Sequence, residues 1–393
     1  MSEAIGTYFY FLTKCWGKNN MVTVREITEK TDIRTFIAFA NNMYKDNPYY
    51  VPDMFSQQVK DFDRDKNPAY EYCDSKCFLA YRDGKVVGRI AAIYNTHANQ
   101  KYNVNQMRFS HADYIDDNEV VDALFAAVEA WAREKGCTAV HGPLGFSDMD
   151  REGLLIKGFD QLSQFFVYYN HPYYMQQMER MGYGKDVDWI EYRVKLPDKP
   201  DERLDRLASA VERRMKLKAA PLTSRNSIKP YVEGVFKLYN EAYLALYGMV
   251  ALTPRQIEKY VGEFLPLVND RTTAILLNER DEVVGFGVGA PSLSLAQQKC
   301  RGRLFPFGWY HVLKALNGKN DTLDMFLIAV KPELQGTGIN AVIMNRLLKF
   351  AIEDGRKYAE TGPELEENSN VQSQWRYFET GQHKTRRCYI KQL

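Results

Sequence analysis

The sequence predicts an α/β protein made of two tandem copies of one fold, each a mixed, twisted sheet flanked by helices. Three observations predict it: a strand–turn–strand unit that occurs twice, helical and extended runs that alternate in both halves, and a breaker cluster midway. At 393 residues the chain has room for two domains of ordinary size. In the first half, residues 77–81 form an apolar run, Asp83-Gly84 is a turn signal, and residues 86–93 follow as a second strand. Residues 274–277, 278–282 and 283–288 repeat the pattern, and Val86-Val87-Gly88 returns as Val283-Val284-Gly285, 197 positions on.

Later anchors keep that offset. Asn170 with a helical stretch to Gly182 matches Asn370 with one to Gly381, at offsets of 200 and 199, and the halves close on strand-like runs at 189–194 and 387–390. Helical periodicity covers 33–44 and 120–135 in the first copy, and 231–247 and 339–354 in the second. Between the copies, Leu196-Pro197-Asp198-Lys199-Pro200 breaks the chain. Leu204, Leu207, Ala208, Val211 and Met215 then recur at helical spacing, so a linker helix is expected to bury that stripe on one lobe. The expected organisation is an arm at 1–20, a first lobe at 21–198, the linker helix at 199–220 and a second lobe at 221–393.

Lys and Arg total 52 against 50 Asp and Glu, a balance without the basic field of a generic nucleic-acid binder. Six cysteines without a CxxC pair are too sparse for a disulfide scaffold and fit a reducing cytoplasm. No apolar run approaches the roughly 20 residues that span a bilayer, so no membrane partner is expected. Residues 5–16 are broken by Gly6, Thr7, Thr13 and Lys14 and lack the marks of a signal peptide; the aromatic run Tyr8-Phe9-Tyr10-Phe11 has no assigned role. The six histidines are scattered without ligand spacing, and no metal site is expected.

Chemistry concentrates in residues 323–340. A buried strand at 323–330 is followed by Pro332, then by Gly336 and Gly338, then by the helical stripe of Ile339, Ile343, Leu347, Phe350 and Ala351. Amides bared at such a strand-to-helix turn, with the helix dipole behind them, suit a phosphate or pyrophosphate. Neither a Walker loop nor a dinucleotide fingerprint is present, since no GxxxxGK[ST] occurs and position 341 is Ala.

Gln335, Gly336, Thr337, Gly338, Ile339 and Asn340 follow a Val-x-Pro strand exit and resemble motif A of the GNAT acetyltransferase superfamily. Asn340 stands where that family has Gly or Ala. A second pattern, Asn370, Ser373, Tyr377 and Gly381, resembles the family's next strand and helix at every position. The resemblance implies acetyl-CoA, or another acyl-CoA, held by Ile328, Ala329, Val330 and the 335–340 turn, with Asn370 on the pantetheine arm. It implies that Tyr377 protonates the leaving thiolate. Direct attack by an amine on a thioester needs no protein nucleophile, but an amine of pKa about 10.4 must first lose a proton. Among the acids Glu364, Glu366 and Glu367, Glu364 is the candidate base.

The first half has no glycine turn before its 120–135 helix and has Gln177 where the Tyr377 counterpart would stand, so one cofactor site is expected. Its loops at 142–153 and 168–174 are dense in acids and tyrosines, and Asp148, Asp150, Glu152 and Tyr169 are candidates for holding a cationic small-molecule or peptide amine. The basic run Lys384-Thr385-Arg386-Arg387 is read as a solvated strand edge, with contact to an anionic substrate or the nucleotide phosphate as the alternative. The function expected is acyl-CoA-dependent N-acyltransfer. Two alternatives remain open, a non-catalytic pseudo-transferase and an acyl or aminoacyl transferase with another donor.

Overall fold

The computed structural model describes residues 21–317 and 320–393, apart from the side chains of Arg376 and Tyr377. The 1–20 arm with its aromatic run lies outside them. The first half contributes β1 (Thr23–Glu26), β2 (Cys73–Arg82), β3 (Lys85–Asn95), β4 (Gln106–Tyr114), β5 (Ala139–Gly142), β6 (Leu154–Lys157) and β7 (Gly184–Lys195). The second contributes β8 (Lys218–Ala219), β9 (Thr273–Leu277), β10 (Val283–Pro291), β11 (Thr322–Val330), β12 (Tyr358–Thr361), β13 (Glu364–Leu365) and β14 (Glu379–Gln392).

Both hairpins form as the sequence predicts, and their shared glycine has the same task twice. A Cβ on Gly88 would lie 2.7 Å from Leu124 of the helix Asn118–Glu134, and one on Gly285 would lie 3.1 Å from Ile339 of the helix Ile339–Glu353. Each glycine therefore lets a helix cross its hairpin at close range. The core of the first lobe gathers Ile90, Phe109, Leu124, Phe125 and Val128 around the first helix. In the second, Leu276, Val284, Ile343 and Leu347 pack with Ala208 and Val211, so the linker helix Glu202–Met215 buries the middle of its stripe against Ile339–Glu353, while Leu207 of the expected stripe is exposed.

The fourteen strands among the described residues join one sheet, its main path running β1-β2-β3-β4-β5-β14-β7-β12-β11-β10-β9-β8. The last strand of each half has crossed into the other. β14 pairs antiparallel with β5 of the first lobe, and β7 pairs antiparallel with β12 of the second. The two crossed strands then pair with each other from Glu379–Lys195 to Ile390–Gly184. Hydrophobic alternation marks both as strands but cannot reveal which sheet edge each completes.

The exchange corrects two expectations. Gly381 lies inside β14 opposite Arg193, not at a helix end, because the segment after Asn370 is only the short helix Ser369–Gln372 and a 3₁₀ turn, Ser373–Tyr377. Its first-half counterpart Gly182 does end a helix, with φ +83°. Nor is the basic run solvated. Lys384 and Arg386 are fully buried, both paired with the equally buried Glu191 of β7, while Arg387 on the opposite face pairs with Asp188 at 2.8 Å. Burial alone would raise the Glu191 carboxyl, but Arg386 and Lys384 outweigh it and hold that carboxyl below the usual glutamate range.

Removing that carboxylate leaves Arg386 buried without a counter-charge and Lys384 with only Glu360, 3.6 Å away. Glu191→Gln should lower unfolding free energy by about 3–5 kcal/mol in urea titrations. Lys195→Ala, which breaks an exposed pair with Glu379, should cost under about 1 kcal/mol. Equal costs for the two would show that the buried cluster does not hold the seam.

Candidate functional site

The site opens where two parallel strands part. β11 and β12 pair only from Thr322–Tyr358 to Met325–Thr361, after which β11 runs on to Val330 while β12 ends. A cavity of about 1970 Å3 fills the split, bounded by Phe326 to Val330 on one side and Thr361 to Leu365 on the other. Its walls are largely apolar, including Val235, Phe236, Phe264, Leu265, Phe286 and Phe326.

At the end of β11 the chain makes a 3₁₀ turn at Pro332–Leu334, then passes through positive φ at Gly336 (+74°) and Gly338 (+94°) before the helix begins at Ile339. No protein acceptor reaches the N–H groups of Gly336, Gly338, Ile339 or Asn340 among the described hydrogen bonds. A Cβ on Gly336 would meet nothing within 4 Å, so a ligand can approach that backbone, whereas one on Gly338 would lie 3.0 Å from Val211. Four bared amides at the start of a 15-residue helix fit a pyrophosphate.

Gln335, Gly336, Gly338, Ile339 and Asn340 all line the cavity. Thr337 does not; its hydroxyl donates to the Leu334 carbonyl at 2.6 Å, and its own carbonyl accepts from Arg214. Ile328, Ala329 and Val330 line the cavity too. Both backbone groups of Ile328 are already bonded to the Tyr243 hydroxyl, which receives the N–H at 3.3 Å and donates to the carbonyl at 3.0 Å. Asn370 is exposed and faces the cavity beside Ser373. Its first-half counterpart Asn170 is fully buried and bonds both backbone groups of Leu155, so the two asparagines do different work.

Three acids of the first lobe reach this second-lobe cavity: Asp148, Asp150 and Glu152, each partly buried. Their loop is fixed, since Gly153 donates to the Pro143 carbonyl at 2.9 Å and Ser147 N–H to Asp150 Oδ2 at 3.1 Å. Tyr239 donates to Asp148 Oδ2, while Asp148 Oδ1 is buried without a hydrogen-bond partner. Burial raises the Asp148 carboxyl to about 6 against the opposing hydrogen bond from Tyr239. Burial and then the neighbouring Asp148 push Glu152 well above the usual range, and burial also raises Asp150. An ammonium group would meet an unsatisfied carboxylate oxygen there.

Glu364 also lines the cavity, at the start of β13. The Trp375 indole N–H lies 3.1 Å from both its carboxyl oxygens, and burial raises it to about 8 in spite of that bond. Tyr377 closes the 3₁₀ turn Ser373–Tyr377, with its side chain outside the described residues. Tyr169 is not in the site. It is buried against Tyr44 and Tyr50, accepts from Asn47 at 3.0 Å and donates to the Phe159 carbonyl at 3.0 Å, so it packs the first lobe.

Sequence reading missed Tyr239 and Tyr243, which stack 4.6 Å apart. Their four-residue spacing on one helix was the available signal. It also missed a partly buried group behind the cavity wall, where the hydroxyl of Tyr247, itself on that wall, bonds His141 at 3.1 Å, Asp186 at 2.5 Å and Cys388 at 3.4 Å. His141, Asp186 and Cys388 come from β5, β7 and β14, so only the strand exchange brings them together.

No protein-family model matches the chain. It is 29% identical over 331 residues to Protein YghO of Escherichia coli (strain K12), covering 83% of each chain. It is 25% identical over 325 residues to a protein of Caulobacter vibrioides (strain NA1000 / CB15N) named bacterial ceramide synthase, covering 81% of this chain and 82% of that one. Among solved structures, a tandem GNAT protein from the clavulanic acid biosynthesis pathway superposes with TM-score 0.55 at 10% identity, covering 94% of this chain and 98% of that one. A fungal glucosamine N-acetyltransferase region superposes with TM-score 0.56 at 12% identity, covering 95% of this chain and 38% of a longer multi-domain chain. The fold is therefore that of a tandem GNAT protein, as the motifs imply.

Asn340 adds a side chain beside the bared amides without closing them. A carboxylate there should repel a diphosphate. Asn340→Asp should weaken coenzyme A binding about tenfold in isothermal titration, with the thermal midpoint unchanged. Unaltered affinity would place the diphosphate elsewhere.

Proposed function

We propose that this chain is an acyl-CoA-dependent N-acyltransferase that moves a long acyl chain onto the amine of a lipid-like acceptor. The observation that carries this reading is the shared cavity, in which an amide turn suited to pyrophosphate and carboxyls suited to ammonium open into one apolar space. Its volume of about 1970 Å3 exceeds the roughly 300–1,000 Å3 of common small-molecule sites, leaving room for donor and acceptor together. An acetyl group needs no wall of Val235, Phe236, Phe264 and Leu265. A long chain gains about 0.8 kcal/mol for each methylene buried there. One relative is named a ceramide synthase, and a ceramide is an amide of a long-chain amino alcohol. That name supports a long acyl group over the acetyl group that the motif alone suggests.

Gln335, Gly336, Gly338, Ile339 and Asn340 would hold the coenzyme A diphosphate, and acyl-CoA when bound supplies a thioester ready for attack. Asp148, raised only to about 6, is ionised at neutral pH. It pairs with the incoming ammonium and accepts its proton, directly or through a water. Glu364, at about 8, is still protonated at neutral pH. It is better placed to give a proton to a thiolate whose conjugate acid lies near 8.5 than to serve as the base. Tyr377 is the second candidate for that proton, on the strength of its motif.

The signs follow from these roles. Activity requires Asp148 ionised and Glu364 protonated, so kcat should rise through about pH 6 and fall through about pH 8. Thioester consumption with a thiol reagent, using acetyl- to palmitoyl-CoA and long-chain amino alcohols, should favour the longer donors. Asp148→Asn should lower kcat about 100-fold or more, and Glu364→Gln should remove the alkaline limb. A preference for acetyl-CoA would overturn the long-chain reading. No turnover of any donor, with coenzyme A binding intact, would leave a non-catalytic binding protein.

A further inference from the structure

Residues 292–320 connect β10 to β11 and contain no aspartate or glutamate, in a chain with nearly as many acids as bases. They carry Lys299, Arg301, Arg303, Lys314 and Lys319. Two helices form here, Ser294–Cys300 and Gly308–Asn317. The excursion is closed at its base, where Ser292 N–H donates to the Thr322 carbonyl at 3.1 Å and Asn320 donates to the Ser292 carbonyl at 2.6 Å.

Its outer turn is seated firmly on the first lobe. Gln298 donates to the carbonyls of Pro48 and Tyr50, at 2.9 and 2.8 Å, and Phe55 N–H donates to the Gly302 carbonyl at 2.9 Å. A Cβ on Gly302 would lie 1.9 Å from the Asp53 carbonyl oxygen, so the two backbones touch there. Within the turn, Trp309 N–H donates to the Leu304 carbonyl at 2.8 Å and its indole N–H to the Pro306 carbonyl at 3.1 Å.

What this fixed turn presents outward is apolar. Phe305 is 81% exposed and Phe307 75%, and Trp309, Tyr310, Leu295 and Leu313 are exposed with them. Chains that stay monomeric in water rarely display such a group without a partner. Lys299, Arg301, Arg303 and Lys314 are exposed as well and enter none of the described ion pairs. Phe, Trp and Tyr among unpaired cations, with no acid in between, is the composition of a helix that lies in the headgroup region of an anionic bilayer. A second copy of this chain would bring the same cations face to face and repel.

We propose that this aromatic, cationic insert docks the protein on a bilayer surface that carries anionic phospholipid. The docking is peripheral, since no helix among the described residues is long and apolar enough to cross a membrane. It differs from the sequence reading, which expected no membrane partner, because a spanning-segment criterion does not register a short interfacial turn. The proposal stands apart from the catalytic reading and requires neither donor nor acceptor.

The test is co-sedimentation of the full chain, without acyl-CoA, with phosphatidylcholine vesicles that contain or lack phosphatidylglycerol. Binding to the anionic vesicles should be about tenfold tighter or more and should weaken with salt. The triple variant Phe305→Ser, Phe307→Ser, Trp309→Ser should lose it, and Arg301→Gln with Lys314→Gln should erase the preference for phosphatidylglycerol. The double variant Phe305→Ser, Phe307→Ser should also lose most of the binding, and its circular dichroism melt should match wild type, because those two side chains are exposed. Three outcomes would overturn the proposal: no association of wild type with anionic vesicles, equal association of the triple variant, or a dimer in sedimentation velocity that the triple variant disperses.

Discussion

Two strands that cross between lobes hold this molecule together, and one buried carboxylate fixes their crossing. β7 and β14 lie side by side at the centre of the sheet, and Glu191 on the first faces Lys384 and Arg386 on the second with no solvent contact. A slip of one residue would turn those charges onto the other face and strand them without a partner. The register of the seam is thus specified by charge as well as by backbone pairing. The cavity depends on that register, because its first-lobe acids and its second-lobe amides meet only if the lobes are joined in this way.

The division of labour between the lobes follows from small local differences. Both have the hairpin, the crossing glycine and the helix packed on it. Only the second has Gly336 and Gly338 ahead of that helix; the first has Asp117, which caps its helix by accepting from Val120 N–H. A carboxylate at the position where a ligand's diphosphate would sit both satisfies the amides and repels the anion. The first lobe therefore contributes no cofactor turn and instead sends Asp148, Asp150 and Glu152 across the interface.

Much of the fold was legible because periodicity and turn chemistry are local. The hairpins, the linker stripe and the strand-to-helix turn at 323–340 each declare themselves within a few residues. Strand exchange is not local, and nothing in the alternation of β14 says that its neighbour is β5. The same limit explains Lys384 and Arg386, whose charge suggests solvent while their partner Glu191 lies on a strand about 190 residues earlier. At the site, Asp148, Asp150 and Glu152 were legible as a loaded loop, while Tyr169 was misjudged because an aromatic beside acids is equally at home in the core cluster of Tyr44 and Tyr50. The group of His141, Asp186, Tyr247 and Cys388 had no sequence signal, since its members are spread over β5, the two exchanged strands and a second-lobe loop.

The crossed strands also set the order in which a newly made chain can finish folding. Synthesis runs from the amino end, and β5 must wait with an unpaired edge until β14, made about 240 residues later, arrives. During that interval the nascent first half exposes strand-edge amides and carbonyls that could recruit a neighbouring chain. Loss of β14 would make the interval permanent, so a stop placed before it would disable the first lobe as surely as the second.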